Sequence, residues 1–183
     1  MTDTPQLITY PDPQAPDLAG LRRLLDGPLD GCFGGVHVLP FFDAVDAADA
    51  GFDPTDHTRV DPRVGGWDDV ARLSERYTVC ADLIVNHAST ASPQFVDWRR
   101  RGDASPYATM FLTPDRVFGG PPTAAEAGII YRPRPTPPFT EIAFDDGTER
   151  RIWTTFGAEQ ADLDVESPSG WSYLIEILDR FAD

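Results

Sequence analysis

The chain has 183 residues, 41% hydrophobic and 11% aromatic, enough to bury one ordinary core or to form one domain with an insertion, but short of the roughly 250 residues of a complete (β/α)8 barrel. Thirty acidic against 15 basic residues give a formal charge of −15, which argues against a nucleic-acid groove or an anionic membrane surface as partner. The amino terminus has no basic segment followed by a long apolar run, and no window approaches the roughly 18 apolar residues of a membrane span, so the expected location is cytoplasmic.

Residues 6–10 read as a short strand closed by Pro11 and Pro13, and from Asp17 onward Leu18, Leu21, Leu24 and Leu25 recur at helical spacing. Gly27-Pro28 ends that helix, and Gly34-Gly35 leads into a second buried strand over residues 36–42. From Phe42 to Arg63 the chain carries Asp43, Asp46, Asp49, Asp53, Asp56 and His57 with almost no apolar periodicity, which predicts a long loop without regular structure. Trp67, Val70, Ala71, Ser74 and Tyr77 mark a second helix. It hands over to residues 79–87, an apolar run that stops abruptly on Asn86 and His87, as a buried parallel strand ends at a site. Asn86 is the only asparagine in a chain that has no lysine at all, which suggests a positional need for it. Strands alternating with helices of this length imply parallel β-α-β units. Cys32 and Cys80 lack metal-type spacing, and both read as buried thiols.

Beyond His87 the rhythm breaks. Ser92-Pro93 starts a helical stretch through Phe95, Val96 and Trp98 that ends in Arg99-Arg100-Arg101-Gly102. From there to about Ser167, prolines among glycines and aromatic residues predict an irregular, strand-poor inserted subdomain, within which residues 150–156 alternate as a half-buried strand would. From Ser169, Trp171, Leu174, Ile175, Leu178 and Phe181 predict an amphipathic helix.

Three stretches suggest chemistry. Asn86-His87 closes a buried strand with two polar residues. Around Asp49, the small residues of Ala47-Ala48-Asp49-Ala50-Gly51-Phe52 would let a carboxylate and the Phe52 ring approach a ligand, although a solvated acidic loop is the simpler reading of that stretch alone. In Tyr131-Arg132-Pro133-Arg134-Pro135 the prolines stiffen two cations beside an aromatic ring, where a surface polyproline segment is the plainer alternative. The acidic run 46–57 lacks the ligand spacing of an EF-hand, so no metal is expected. No G-x-S-x-G, P-loop or G-x-G-x-x-G stretch is present.

Together these stretches resemble the α-amylase superfamily of glycoside hydrolases, in its sucrose-phosphorylase-like branch. The matching words run in order: Gln6-Leu7-Ile8-Thr9-Tyr10, Gly35-Val36-His37-Val38-Leu39-Pro40-Phe41-Phe42, Asp49-Ala50-Gly51-Phe52-Asp53-Pro54, Trp67-Asp68-Asp69-Val70-Ala71, Asp82-Leu83-Ile84-Val85-Asn86-His87, Met110-Phe111-Leu112-Thr113, Ile130-Tyr131-Arg132-Pro133-Arg134-Pro135 and Gln160-Ala161-Asp162-Leu163-Asp164.

The resemblance implies an α/β fold, a partial TIM (β/α)8 barrel of the first three β-α units with an irregular domain inserted after the third strand. Residues 1–87 would be the first part of the catalytic barrel, 88–167 the inserted domain B, and 168–183 the helix following strand 3, with the chain ending before strand 4. It also implies glucosyl transfer from sucrose to inorganic phosphate by retaining double displacement, with phosphate as co-substrate and no cofactor. Asp49 and His87 match positions that grip glucosyl hydroxyls, Phe52 an aromatic residue of the same subsite, and Tyr131, Arg134 and Gln160 acceptor-side positions. The family's nucleophile and acid/base lie on later strands, so no catalytic residue is assigned here and the chain alone is expected to be inactive and to self-associate. A related phosphorylase acting on sucrose 6-phosphate or a glucosylated small acceptor, and a non-catalytic sugar-binding remnant, are the alternatives.

Overall fold

The computed structural model describes residues 4–12, 16–45 and 51–182, and the chain divides into two compact units, Met1–Leu83 and Ile84–Asp183. In chain order the first unit contains β1 (Gln6–Thr9), α1 (Leu18–Asp26), β2 (Gly35–Val38), β3 (Phe42–Ala44), β4 (Pro54–Val60), α2 (Trp67–Ser74) and β5 (Thr78–Ala81). Strands β1, β2 and β5 form a parallel sheet in that order. Parallel neighbours need a crossover, and α1 and α2 lie in the two connections. Asp17 caps α1 by accepting a hydrogen bond from the Gly20 N–H at 2.6 Å, which satisfies one of the donors a helix start leaves open. The helices bury Leu18, Leu21 and Leu25 of α1 and Leu73 of α2.

The pleat sorts the sheet into unlike faces. Leu7, Val36 and Val79 share one rung, on which Val36 is fully buried. Ile8, His37 and Cys80 share the next rung and point the other way; there Ile8 is 62% exposed. His37 Nε2 lies 3.3 Å from Asp82 Oδ2 beside that rung.

Several expectations are corrected here. The run 79–87 is not one strand: pairing with β2 ends at Val38↔Ala81, close to Pro40, which has no N–H to extend a ladder. β5 is half-exposed rather than buried on both faces. Both cysteines are exposed, Cys80 because the sheet face it occupies is uncovered. The stretch from Phe42 to Arg63 is not structureless among its described residues, since β3 and β4 pair antiparallel with register shifts. Apolar alternation could not reveal that pairing, because β4 is Pro-Thr-Asp-His-Thr-Arg-Val. The strand sits against Phe41, Phe42 and Trp67: the Trp67 indole N–H donates to the Thr58 carbonyl at 2.9 Å, and the Phe42 ring lies 5.4 Å from the fully buried His57.

The second unit contains β6 (His87–Ser89), α3 (Pro93–Arg101), a 3-10 turn at Gly102–Ala104, α4 (Pro114–Phe118), α5 (Ala124–Ile129), β7 (Phe139–Ala143), β8 (Glu149–Trp153), β9 (Gln160–Asp162) and α6 (Pro168–Ala182). Ser92, Thr113 and Thr123 cap α3, α4 and α5 through their hydroxyls. The core is aromatic: Trp98 stacks on Phe111 at 5.6 Å and meets Phe95 and Phe144 edge-on at 5.5 and 5.0 Å.

This unit is less strand-poor than its composition predicts, because β7 and β8 form an antiparallel hairpin and β6 pairs with β9. The buried stripe of α6 is Gly170, Tyr173, Leu174 and Ile177, rotated from the expected one; Trp171 and Leu178 are 58% and 44% exposed. Gly170 sets the rotation. A Cβ there would run into the Asp164 carbonyl oxygen, so the helix approaches the chain as closely as it does only because residue 170 has no side chain.

Among the described residues no helix is long and apolar enough to cross a membrane.

Candidate functional site

The antiparallel pair β6–β9 is built from two three-residue strands, and its register decides which side chains meet. His87 lies opposite Asp162, Ala88 opposite Ala161 and Ser89 opposite Gln160. Because successive side chains alternate, His87, Ser89, Gln160 and Asp162 share one face and the two alanines the other. Both alanines are fully buried, so the small face packs inward. The polar face is itself secluded, with His87 and Gln160 each 3% exposed and Asp162 8%.

The neighbours of this face hold it in place. The His87 ring lies 4.9 Å from the Phe156 ring, tilted by 42°. Gln160 closes a tight turn, its N–H donating to the Gly157 carbonyl at 2.9 Å. Burial pushes the Asp162 carboxyl up to about 6, while hydrogen bonds from the Thr155 hydroxyl and N–H pull against it. Beyond β9, Asp164 forms a 2.6 Å ion pair with Arg116. Asn86, the residue before His87, is exposed, and its carbonyl accepts from the Leu163 N–H at 2.8 Å.

Of the six residues singled out from sequence, the structure brings His87 and Gln160 together on this face. Tyr131 and Arg134 lie in the same unit on an exposed segment between α5 and β7, with Tyr131 80% exposed. Phe52, half-buried, belongs to the first unit. Asp49 lies outside the described residues. Phe156, Ser89 and Asp162 are additions that sequence reasoning missed. The alternation of Gln160, Asp162 and Asp164 was the available signal for Asp162, whereas Phe156 was read as the end of the alternating run 150–156, of which the structure pairs only Glu149–Trp153 as a strand.

The first unit has its own recess past the carboxyl ends of β1 and β2, a cleft of about 250 Å³ lined by Tyr10, Pro40, Phe42, Gly51, Asp61 and Arg63. Gly51 belongs there for a physical reason. Its φ is +87°, and a Cβ would sit 2.6 Å from the Pro40 carbonyl oxygen, so only glycine lets the chain pass this closely on its way to Phe52. At the cleft edge Arg63 Nη2 lies 2.5 Å from Asp61 Oδ2. Burial pushes the Asp61 carboxyl up, but the Arg63 hydrogen bonds and charge together outweigh it and hold the group below its ordinary value.

Comparison with known proteins bears on the family and the fold. The family model described as Alpha amylase, catalytic domain, matches residues 14–183. Sucrose phosphorylase of Agrobacterium vitis is 50% identical over the whole of this chain, which spans 38% of that protein. Sucrose phosphorylase of Bifidobacterium adolescentis is 46% identical over the whole chain, which spans 36% of it. The crystal structure of sucrose 6F-phosphate phosphorylase from Thermoanaerobacter thermosaccharolyticum superposes with a TM-score of 0.92 at 35% identity, covering 99% of this chain and 37% of that one. The chain thus spans little more than a third of the length of these relatives, and the fold they indicate is of the TIM-barrel type.

Proposed function

Because this chain belongs to the alpha-amylase family, we propose that it forms the sugar-gripping part of an enzyme that transfers a glucosyl unit from sucrose to phosphate with retention of configuration. The observation that carries the reading is the secluded polar face of β6–β9, on which His87 and Gln160 stand together. It is supported by identities of 50% and 46%, over the full chain, with proteins named sucrose phosphorylase. In this reading the parallel strands β1, β2 and β5 are the first three strands of the barrel, residues 88–167 are the inserted domain B, and α6 is the helix after strand 3.

His87 and Asp49 would hold hydroxyls of the glucosyl ring, and Phe52 would line the same subsite. Tyr131, Arg134 and Gln160 would face the acceptor side, where a guanidinium suits both a polar sugar rim and an incoming phosphate. Hydrogen bonds to the sugar accelerate the reaction to the extent that they strengthen as the ring flattens toward an oxocarbenium ion. Bond cleavage needs two carboxyl groups about 5 Å apart across the glycosidic bond. No carboxylate of this chain is assigned either role. No cofactor is required, phosphate serves as co-substrate, and the proposed location is cytoplasmic.

Two assays test the reading. Incubated with sucrose and phosphate, the purified chain is expected to release no fructose; phosphate-dependent release would overturn the assignment of catalysis elsewhere. Glucose binding, measured by calorimetry, is expected to be weak and to disappear in Asp49→Ala and His87→Ala. Binding that survives both substitutions would place the sugar on other residues.

A second reading, in which the acceptor is a fructose bearing a 6-phosphate, draws on the superposition with sucrose 6F-phosphate phosphorylase. It differs in the anion that the acceptor side must hold. Stronger competition by fructose 6-phosphate than by fructose for the chain's acceptor side, lost in Arg134→Ala, would favour it.

A further inference from the structure

Asp162 is tied to His87 twice, across the β6–β9 register and around the turn that precedes β9. In the turn, the Trp153 indole N–H donates to Thr155 Oγ1 at 2.8 Å. The Thr155 hydroxyl in turn donates to Asp162 Oδ2 at 2.5 Å, and the Thr155 backbone N–H donates to Asp162 Oδ1 at 3.2 Å. A hydroxyl has a single proton, so accepting the indole proton leaves its own proton for the carboxylate and gives the chain of bonds one direction. Both carboxylate oxygens thereby hold residue 155 at two points, and the next residue, Phe156, lays its ring against His87 at 4.9 Å.

We propose that Asp162 is a positioning residue: as a carboxylate it fixes Thr155, so that Phe156 backs the His87 imidazole and holds it in one orientation. The consequence for sugar recognition rests on the function proposed above; the clamp itself does not.

The clamp is sensitive to protonation, since a protonated carboxyl replaces one acceptor oxygen with a donor and the Thr155 hydroxyl then faces an O–H. Burial holds the Asp162 carboxyl near 6, so the clamp is engaged above about pH 6 and loosened below it. Across the register, β6 presents His87. On β8 the charged groups are Glu149, Arg150 and Arg151, of which Arg150 pairs with Asp103 and Asp146 and Arg151 with Glu141. Glu159, just before β9, accepts from the Thr90 hydroxyl, and Asp164, just after it, pairs with Arg116.

Nuclear magnetic resonance on the 183-residue chain tests the proposal without any sugar. The Thr155 amide and Trp153 indole proton resonances are expected to titrate together with a midpoint near 6, and to lose that titration in Asp162→Asn. A nuclear Overhauser effect between Phe156 and His87 is expected above the midpoint and lost in Asp162→Asn. Thr155→Val, which leaves the carboxylate in place, is expected to lose the same contact, and Thr155→Ser to keep it. This pair carries the test if Asp162→Asn does not fold. Persistence of the Phe156–His87 contact in folded Asp162→Asn or Thr155→Val would overturn the clamp. Glucose titration of the wild-type chain separates the two ideas, because a clamp seen without glucose binding leaves the positioning role standing and removes the sugar reading.

Discussion

Charging Asp162 costs the folded chain stability, because its carboxyl titrates near 6 instead of at its ordinary 3.8. Between these values the folded chain keeps a proton that the unfolded chain has released, so this group's contribution falls as pH rises from about 4 to 6 and stays low above. At ~1.4 kcal/mol per unit, the loss amounts to about 3 kcal/mol. Relative to Asp162→Asn, wild type is therefore expected to lose thermal stability between pH 4 and pH 6.5, and a constant difference in Tm over that range would refute the assignment. The same carboxylate that orders Thr155 thus weakens the fold at neutral pH, as groups held at functional sites often do. His87 was legible in the sequence because it closes an apolar run, whereas Gln160 was reached only through the resemblance carried by Gln160-Ala161-Asp162-Leu163-Asp164. Asp162 was visible as a residue but not as a partner of His87, since only the register of two distant strands makes them neighbours. Phe156 looked like the end of the alternating run 150–156, but β8 stops at Trp153 and the ring meets His87 from the bend beyond it.

Helices were legible wherever a local period announced them, as in α1 and α3, whereas the apolar run 36–42, expected as one strand, is divided, with β2 ending at Val38 and Phe42 opening β3. Strands were misread wherever pairing partners decided the outcome. The apolar run 79–87 looks like one strand, but hydrogen bonding divides it, giving Thr78–Ala81 to a parallel sheet and His87–Ser89 to an antiparallel pair. The polar β4 looks like loop and is paired. In α6 the expected face was drawn from the bulkiest residues, whereas the buried face follows the residue that has no bulk. Gly170→Ala is accordingly expected to destabilise the second unit by about 1–3 kcal/mol or more through overpacking against Asp164, read from urea unfolding. Equal stability would mean that the helix shifts without cost. Trp98→Ala, which empties the centre of the aromatic cluster, is expected to cost about 3–5 kcal/mol, with collapse of the near-ultraviolet circular dichroism as a second sign.

At the scale of the whole chain two forces oppose each other. The parallel sheet has β1 and β5 at its edges and a face on which Ile8 and Cys80 are exposed, and unpaired edges with apolar side chains favour association with another copy. A formal charge of −15 resists it. Added salt shortens the range of that repulsion, so sedimentation is expected to show oligomers that grow with sodium chloride, and Ile8→Glu to reduce them at every salt concentration. A monomer unaffected by salt would count against this picture. Cys80 supplies a direct gauge of the same surface, because it shares a rung with Ile8 and His37 on the open side of the sheet. In Cys32→Ser, which removes the other exposed thiol, a maleimide should modify Cys80 readily, and whatever strand or second molecule comes to lie over that side should slow the labelling, so a natural sulfhydryl serves as the reporter of when the surface is covered.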